Sequence, residues 1–251
     1  MKKYDQYVND KASNYQKWFS YITMAVPDKV QELIPLVDIN MKTRGKTRQT
    51  GLYLAVEKIP YQSLGSGKLV RETLIEIIKM LLANGADPNI LCNYFDYSGN
   101  ETKDVSPLWE AALHTYDGTE VVDILLNAGA KVNNGKSAVE TLSKRAFLQA
   151  LGATHQDSNK TMLHYAKEKM NMIKHLVENG AAIPKNIYDN ILTSINVFYA
   201  YPQKEYFAKE YNNEYRASLE AFIEWLYTKR SDVPSSIKKV IIDKRTKKFG
   251  L

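Results

Sequence analysis

Apolar residues recur at helical spacing in several separated stretches of the chain. In 75–89 they fall at Ile75, Ile78, Leu81 and Leu82, and the stretch ends in Gly85-Ala86-Asp87-Pro88-Asn89. In 120–133 they fall at Val121, Val122, Leu125 and Leu126, ending in Gly129-Ala130. In 172–182 they fall at Met172, Ile173, Leu176 and Val177, ending in Gly180-Ala181. This periodicity predicts an amphipathic helix in each stretch. Glycine takes the left-handed conformation that commonly closes a helix, so each Gly-Ala reads as a stop. A fainter copy runs over 29–40 without the glycine, and a truncated one over 145–153.

A second signature precedes three of these helices. Ser106-Pro107-Leu108-Trp109-Glu110-Ala111-Ala112 places a capping hydroxyl before a proline suited to the first helical position. Thr50-Gly51-Leu52-Tyr53-Leu54-Ala55 and Thr161-Met162-Leu163-His164-Tyr165-Ala166 share its frame. Each unit then reads turn, short helix, longer helix, Gly-Ala. The interval from Thr50 to Gly85 exceeds that from Ser106 to Gly129, which places an insertion near 59–71 around Pro60 and Gly65-Ser66-Gly67. The unit over 134–153 is shortened. Farther on, Leu219, Phe222, Ile223 and Leu226 form one stripe with Trp225 beside it. Residues 187–198 read as its partner helix.

This recurrence of helix start and Gly-Ala stop resembles the ankyrin repeat. The resemblance implies an all-α fold: an ankyrin-repeat solenoid of stacked helix-turn-helix units with an irregular helical C-terminal cap. Residues 1–20 form an N-terminal capping segment containing Tyr15, Trp18 and Phe19. Residues 21–183 hold about five repeats, 184–230 the cap and 231–251 a basic tail. The resemblance also makes His164 a structural hydrogen-bonding residue, whereas Trp109 takes the histidine position as a packed substitute. Irregular repeats rich in Lys, Asn and Tyr are similar in style to ankyrin effectors of intracellular bacteria, which act in a host cytoplasm.

Charge changes the picture less than its total suggests. Lys and Arg number 34 and Asp and Glu 28, for a net charge of +6. Residues 228–251 carry eight of the basic and two of the acidic side chains, so 1–227 is balanced. A body built for nucleic-acid phosphates would spread cations over its surface. The single cysteine, Cys92, excludes an internal disulfide, and four scattered histidines offer no metal spacing. Without a long apolar run or an apolar leader, the expectation is a cytoplasmic protein with no transmembrane insertion.

Catalytic motifs are lacking. Gly45-Lys46-Thr47 ends like a phosphate loop, but Asn40 holds the place of its first glycine. Gly65-Ser66-Gly67-Lys68 has Gln62 in that place and Leu69 after the lysine. The reading is a non-enzymatic protein-binding module without cofactor. The resemblance implies that a partner meets the turns before each Thr or Ser and the exposed face of each first helix. Those positions are Lys46, Arg48 and Gln49; Glu57 and Lys58; Lys103; His114 and Tyr116; Asp157 and Lys160; and Glu168 and Lys169. The loop 91–100 adds Tyr94, Phe95 and Tyr97 as aromatic candidates. Two alternatives stand beside this: an enzyme site in the cap, and weak polyanion or membrane-surface contact through residues 238–248.

Overall fold

The computed structural model describes residues 12–62, 68–96, 98–114, 119–147, 156–200, 209–230 and 237. Among these, ten α-helices and one two-stranded hairpin make the chain predominantly helical. The chain divides into two compact bodies, Met1–Ala138 and Val139–Leu251.

In the N-terminal body, α1 (Asn14–Thr23) pairs with α2 (Pro27–Leu33), α3 (Gly51–Gln62) with α4 (Lys68–Ala83), and α5 (Pro107–His114) with α6 (Glu120–Asn127). The first helices also pack on one another, α1 on α3 and α3 on α5, and α2 packs on α4. Arg71 of α4 reaches Glu120 of α6 at 2.9 Å. The result is stacked helix pairs in two rows. Trp18, Ile22, Leu52, Leu74, Ile77, Ile78, Leu81, Val121 and Leu125 fill the space between them. Each such burial contributes about 1.5–3 kcal/mol.

Local chemistry explains the ends of these helices. Ser13 and Gln16 close a capping box at the start of α1. Thr50 Oγ1 accepts from the Tyr53 amide at 3.2 Å, and Ser106 Oγ from the Trp109 amide at 3.1 Å. The glycine stops form as expected. Gly85, Gly129 and Gly180 have φ of 89°, 88° and 92°. In each case the glycine amide donates three residues back and the following alanine amide five residues back, to Leu81, Leu125 or Leu176. That is the paired bonding of a Schellman end.

Several expectations are corrected. The boundary at residue 20 falls inside α1, whose Trp18 is fully buried. Of the segment 59–71, residues 59–62 belong to α3 and 68–71 to α4, and 63–67 lie outside the described residues. The loop 91–100 belongs to a hairpin of β1 (Cys92–Phe95) and β2 (Glu101–Val105), a departure from a purely helical fold.

The C-terminal body holds α7 (Ala138–Phe147), α8 (Gln156–Glu178), α9 (Ile187–Ala200) and α10 (Lys209–Lys229). Here the Thr161 frame fails. No turn interrupts α8, because 156–178 contains neither Gly nor Pro and its centre is rich in good helix formers. Of the truncated copy over 145–153, residues 145–147 belong to α7 and 148–153 lie outside the described residues. The cap pair is present as α9 and α10. Leu219, Phe222, Ile223 and Leu226 are buried, and Phe222 packs on Phe147 with ring centroids 5.5 Å apart. The Tyr215 hydroxyl donates to the Ala146 carbonyl at 3.2 Å and shares a hydrogen bond with Ser194 Oγ at 3.0 Å. Ile237 is buried; the other tail residues, 231–236 and 238–251, lie outside the described residues.

Candidate binding surface

Two equivalent footings carry the turns of the N-terminal body. Asp38 accepts from the Asn40 amide at 3.0 Å, and Asp87 from the Asn89 amide at 2.8 Å. Both are Asx turns. Each asparagine then bridges to the next helix stop. Asn40 donates to the Gly85 carbonyl and accepts from the Asp87 amide, at 3.1 and 2.8 Å. Asn89 does the same with Gly129 and Lys131, at 3.0 and 2.8 Å.

From the first footing rises the turn 42–50, closed by a bridge between Lys42 and Thr50. The Thr43 amide donates to the Gln49 carbonyl at 2.7 Å, and Thr43 Oγ1 accepts from the Gln49 amide at 2.9 Å. From the second rises the β1–β2 hairpin, with Tyr94 opposite Thr102 and Phe95 opposite Glu101. Its tip is organised by Asp96, which accepts from Ser98 and from both nitrogens of Asn100, at 2.9 Å each. These donors, the Asn100 side chain first, hold the Asp96 carboxyl below its ordinary range.

The turns are tied side by side. The Asn93 amide donates to the Thr47 carbonyl at 3.0 Å, and Asn93 Nδ2 to the Lys46 carbonyl at 3.1 Å. Lys42 Nζ reaches the Leu91 carbonyl at 2.6 Å. On the far side, the Lys136 amide donates to the Asp104 carbonyl at 2.7 Å. Arg48, Asp104 and Gly135 each stand two positions before Thr50, Ser106 and Ser137, and each is left-handed, with φ of 45°, 56° and 72°. The same backbone step recurs in three successive turns.

The structure sorts the candidate residues. Lys46, Arg48 and Lys103 are exposed, and Lys103 lies 3.6 Å from Glu101. Tyr94 and Phe95 are half-buried, and Tyr94 packs on the buried Trp109 with centroids 5.6 Å apart. Glu57 and Lys58 are half-buried and 3.3 Å apart. Gln49 is a correction: it is buried and donates to Glu57 Oε1 at 3.0 Å, so it orients a neighbour rather than facing a partner. His114 ends α5. Tyr97 and Tyr116 lie outside the described residues.

The remaining candidates lie on α8. Asp157 and Lys160 are helical rather than on a turn, and Glu168 is half-buried. His164 is exposed along the helix, which overturns its expected structural role; the frame that would have capped with it is absent. Lys169 is also corrected: it is buried, because it falls on the stripe of Ala166, Met170 and Ile173. Burial first, and Arg145 second, push its ammonium down to about 8. Folded Lys169 therefore releases its proton near pH 8, whereas the unfolded chain holds it to about pH 10.4. Unfolding takes up a proton in that window, so stability rises with pH from about 8. Higher still, Tyr215, pushed up to about 12 by burial, opposes the rise. Urea midpoints from pH 7 to 10 should climb in the wild type and stay flat in Lys169→Met; parallel curves would refute this.

Sequence reasoning missed Arg44, Asn93 and the pair Tyr53–Glu110. Arg44 is exposed at the tip of the first turn. Its signal was available, since Lys42, Arg44, Lys46 and Arg48 alternate in a short segment. Tyr53 and Glu110 are buried, and the Tyr53 hydroxyl donates to Glu110 Oε2 at 2.6 Å. Cys92 is buried, and burial pushes its thiol up, which suits a packed side chain rather than a nucleophile. Among the described residues no His, Cys, Asp or Glu group could hold a metal, and no helix is long and apolar enough to cross a membrane. Compared with known proteins, the sequence matches no family model and no curated relative.

Proposed function

We propose that the chain is an ankyrin-type interaction module that binds a partner protein through the turns 42–50 and 92–105 and the adjoining first helices. The reading rests chiefly on the repeated footing: Asn40 and Asn89 make the same two bonds to the next helix stop. Turns of different length and charge then stand on one regular base. Such a base with variable turns suits recognition of a macromolecular surface. Phe95, half-buried on the hairpin, supplies an aromatic contact.

The test is affinity capture from a cell lysate with the intact protein and with Phe95→Ser/Tyr97→Ser. Tyr94 is spared because it supports Trp109. A protein retained by the wild type and depleted at least tenfold by the variant is the expected result. Equal recovery by both, or turnover of a small molecule that a single substitution abolishes, would overturn the reading.

A further inference from the structure

The geometry points to the turn 42–50 as a docking site for a short acidic segment of a partner protein. This rests on the reading that the row of turns is a protein-binding face, and it names the chemistry that one turn accepts.

Three cations carry the first part of the argument. Arg44, Lys46 and Arg48 are exposed, and none has an ion-pair partner among the described residues. The fourth cation, Lys42, is occupied as a strut to the Leu91 carbonyl. Nearby carboxylates are engaged elsewhere. Glu101 accepts from Asn93 and stands beside Lys103, and Glu57 accepts from Gln49 and stands beside Lys58. The positive charge of the turn is therefore left for a ligand.

The backbone carries the second part. The carbonyls of Lys46 and Thr47 are both held by Asn93. In a trans peptide the carbonyl and the following N–H point in opposite directions. The amides of Thr47 and Arg48 are thus turned away from the hairpin, and neither has an acceptor among the described residues. Two successive N–H groups directed away from the hairpin, between left-handed residues at Gly45 and Arg48, leave adjacent donors of the kind that favour an anion. Arginine forks and oriented amides together match carboxylates.

The surroundings favour a peptide over a nucleic acid. The next turn presents Asp96, Glu101 and Asp104, which repel a polyanion continuing past the first turn. Nucleic-acid affinity grows with the number of phosphates neutralised, and Arg44, Lys46 and Arg48 beside a hairpin of three acids and one cation, Lys103, give little. A partner segment with two or three neighbouring Asp or Glu residues fills the site without meeting those acids.

Fluorescence anisotropy of the full chain tests this, with Lys244, Arg245, Lys247 and Lys248 changed to Ser in every arm to silence the tail. The probes are a labelled decapeptide with three adjacent Glu residues in an otherwise uncharged sequence, its Gln counterpart, and a single-stranded DNA of equal length in residues. The Glu peptide should bind, weaken with added salt, and lose at least tenfold in Arg44→Gln/Lys46→Gln/Arg48→Asn, where Asn tolerates the left-handed backbone. The Gln peptide should not bind. Absence of Glu-peptide binding, equal binding by the variant, or DNA bound as tightly through the same three residues would overturn the proposal. The Phe95→Ser/Tyr97→Ser capture leaves these cations in place, so the wider reading and this one can fail separately.

Discussion

Tyr53→Phe should lower the unfolding free energy of the N-terminal body by about 2 kcal/mol at neutral pH, since a charge-assisted hydrogen bond is lost in a dry site. The Tyr53 hydroxyl and Glu110 Oε2 are 2.6 Å apart, and the two residues are 0% and 1% exposed. Water cannot replace the lost donor at the carboxylate. The pair also makes stability fall in alkali. Burial first, and the Glu110 charge second, hold the Tyr53 proton far above its ordinary range. The unfolded chain releases that proton near pH 10, while the folded chain keeps it. Stability contributed by this group is complete below pH 10 and declines above it by about 1.4 kcal/mol per pH unit. Tyr215 adds a similar decline in the other body until about pH 12. Urea unfolding followed at Trp fluorescence between pH 7 and 11 measures both effects. An unchanged midpoint at pH 7, or an undiminished alkaline slope in the variant, contradicts the assignment.

Gly135→Ala should cost about 3 kcal/mol, the sum of a left-handed backbone and an overpacked contact. Gly135 has φ of 72°. A Cβ there would collide with the Asp104 carbonyl oxygen and stand 2.7 Å from Leu91 Cδ2. The carbonyl cannot withdraw freely, because the Lys136 amide holds it at 2.7 Å. Gly129 is the matched control: its φ is 88°, but nothing lies within 4 Å of its added Cβ. Gly129→Ala should therefore cost only the backbone part, about 1 kcal/mol. Denaturant titration of the two variants separates the terms, and amide exchange at Lys136 should accelerate in Gly135→Ala alone. Equal losses would show that the collision is relieved without cost.

The helix ends were legible because they depend on neighbouring residues only. A hydroxyl at Thr50 or Ser106 and a glycine at 85, 129 or 180 carry their structural meaning within one turn of helix. The stripe on α10 was legible for the same reason. The hairpin was not, because its register depends on Asn93 reaching Lys46 and Thr47 and on Tyr94 finding Trp109, all remote in sequence. For α8 the local information pointed the right way. The Thr161 frame suggested a break, yet no Gly or Pro lay there to make one. The burial of Lys169 follows from the same helix, since an uninterrupted 3.6-residue period puts it on the apolar face. Among the binding candidates, sequence placed Lys46 and Arg48 on an exposed turn correctly. It could not tell that Gln49, one residue on, turns inward to Glu57.

The footing described above separates what must stay constant from what is free to vary. The Asn40 and Asn89 bridges fix where each turn leaves the body, and none of their bonds involves a tip residue. A compact turn over 42–50 and a longer hairpin over 92–105 stand on the same pattern. The hairpin beyond Phe95 is therefore open to exchange, whereas the first turn is held through Lys46 and Thr47 by Asn93. Substituting a new sequence between Phe95 and Glu101 should leave the helices beneath it undisturbed and, under the proposed function, redirect what the surface meets.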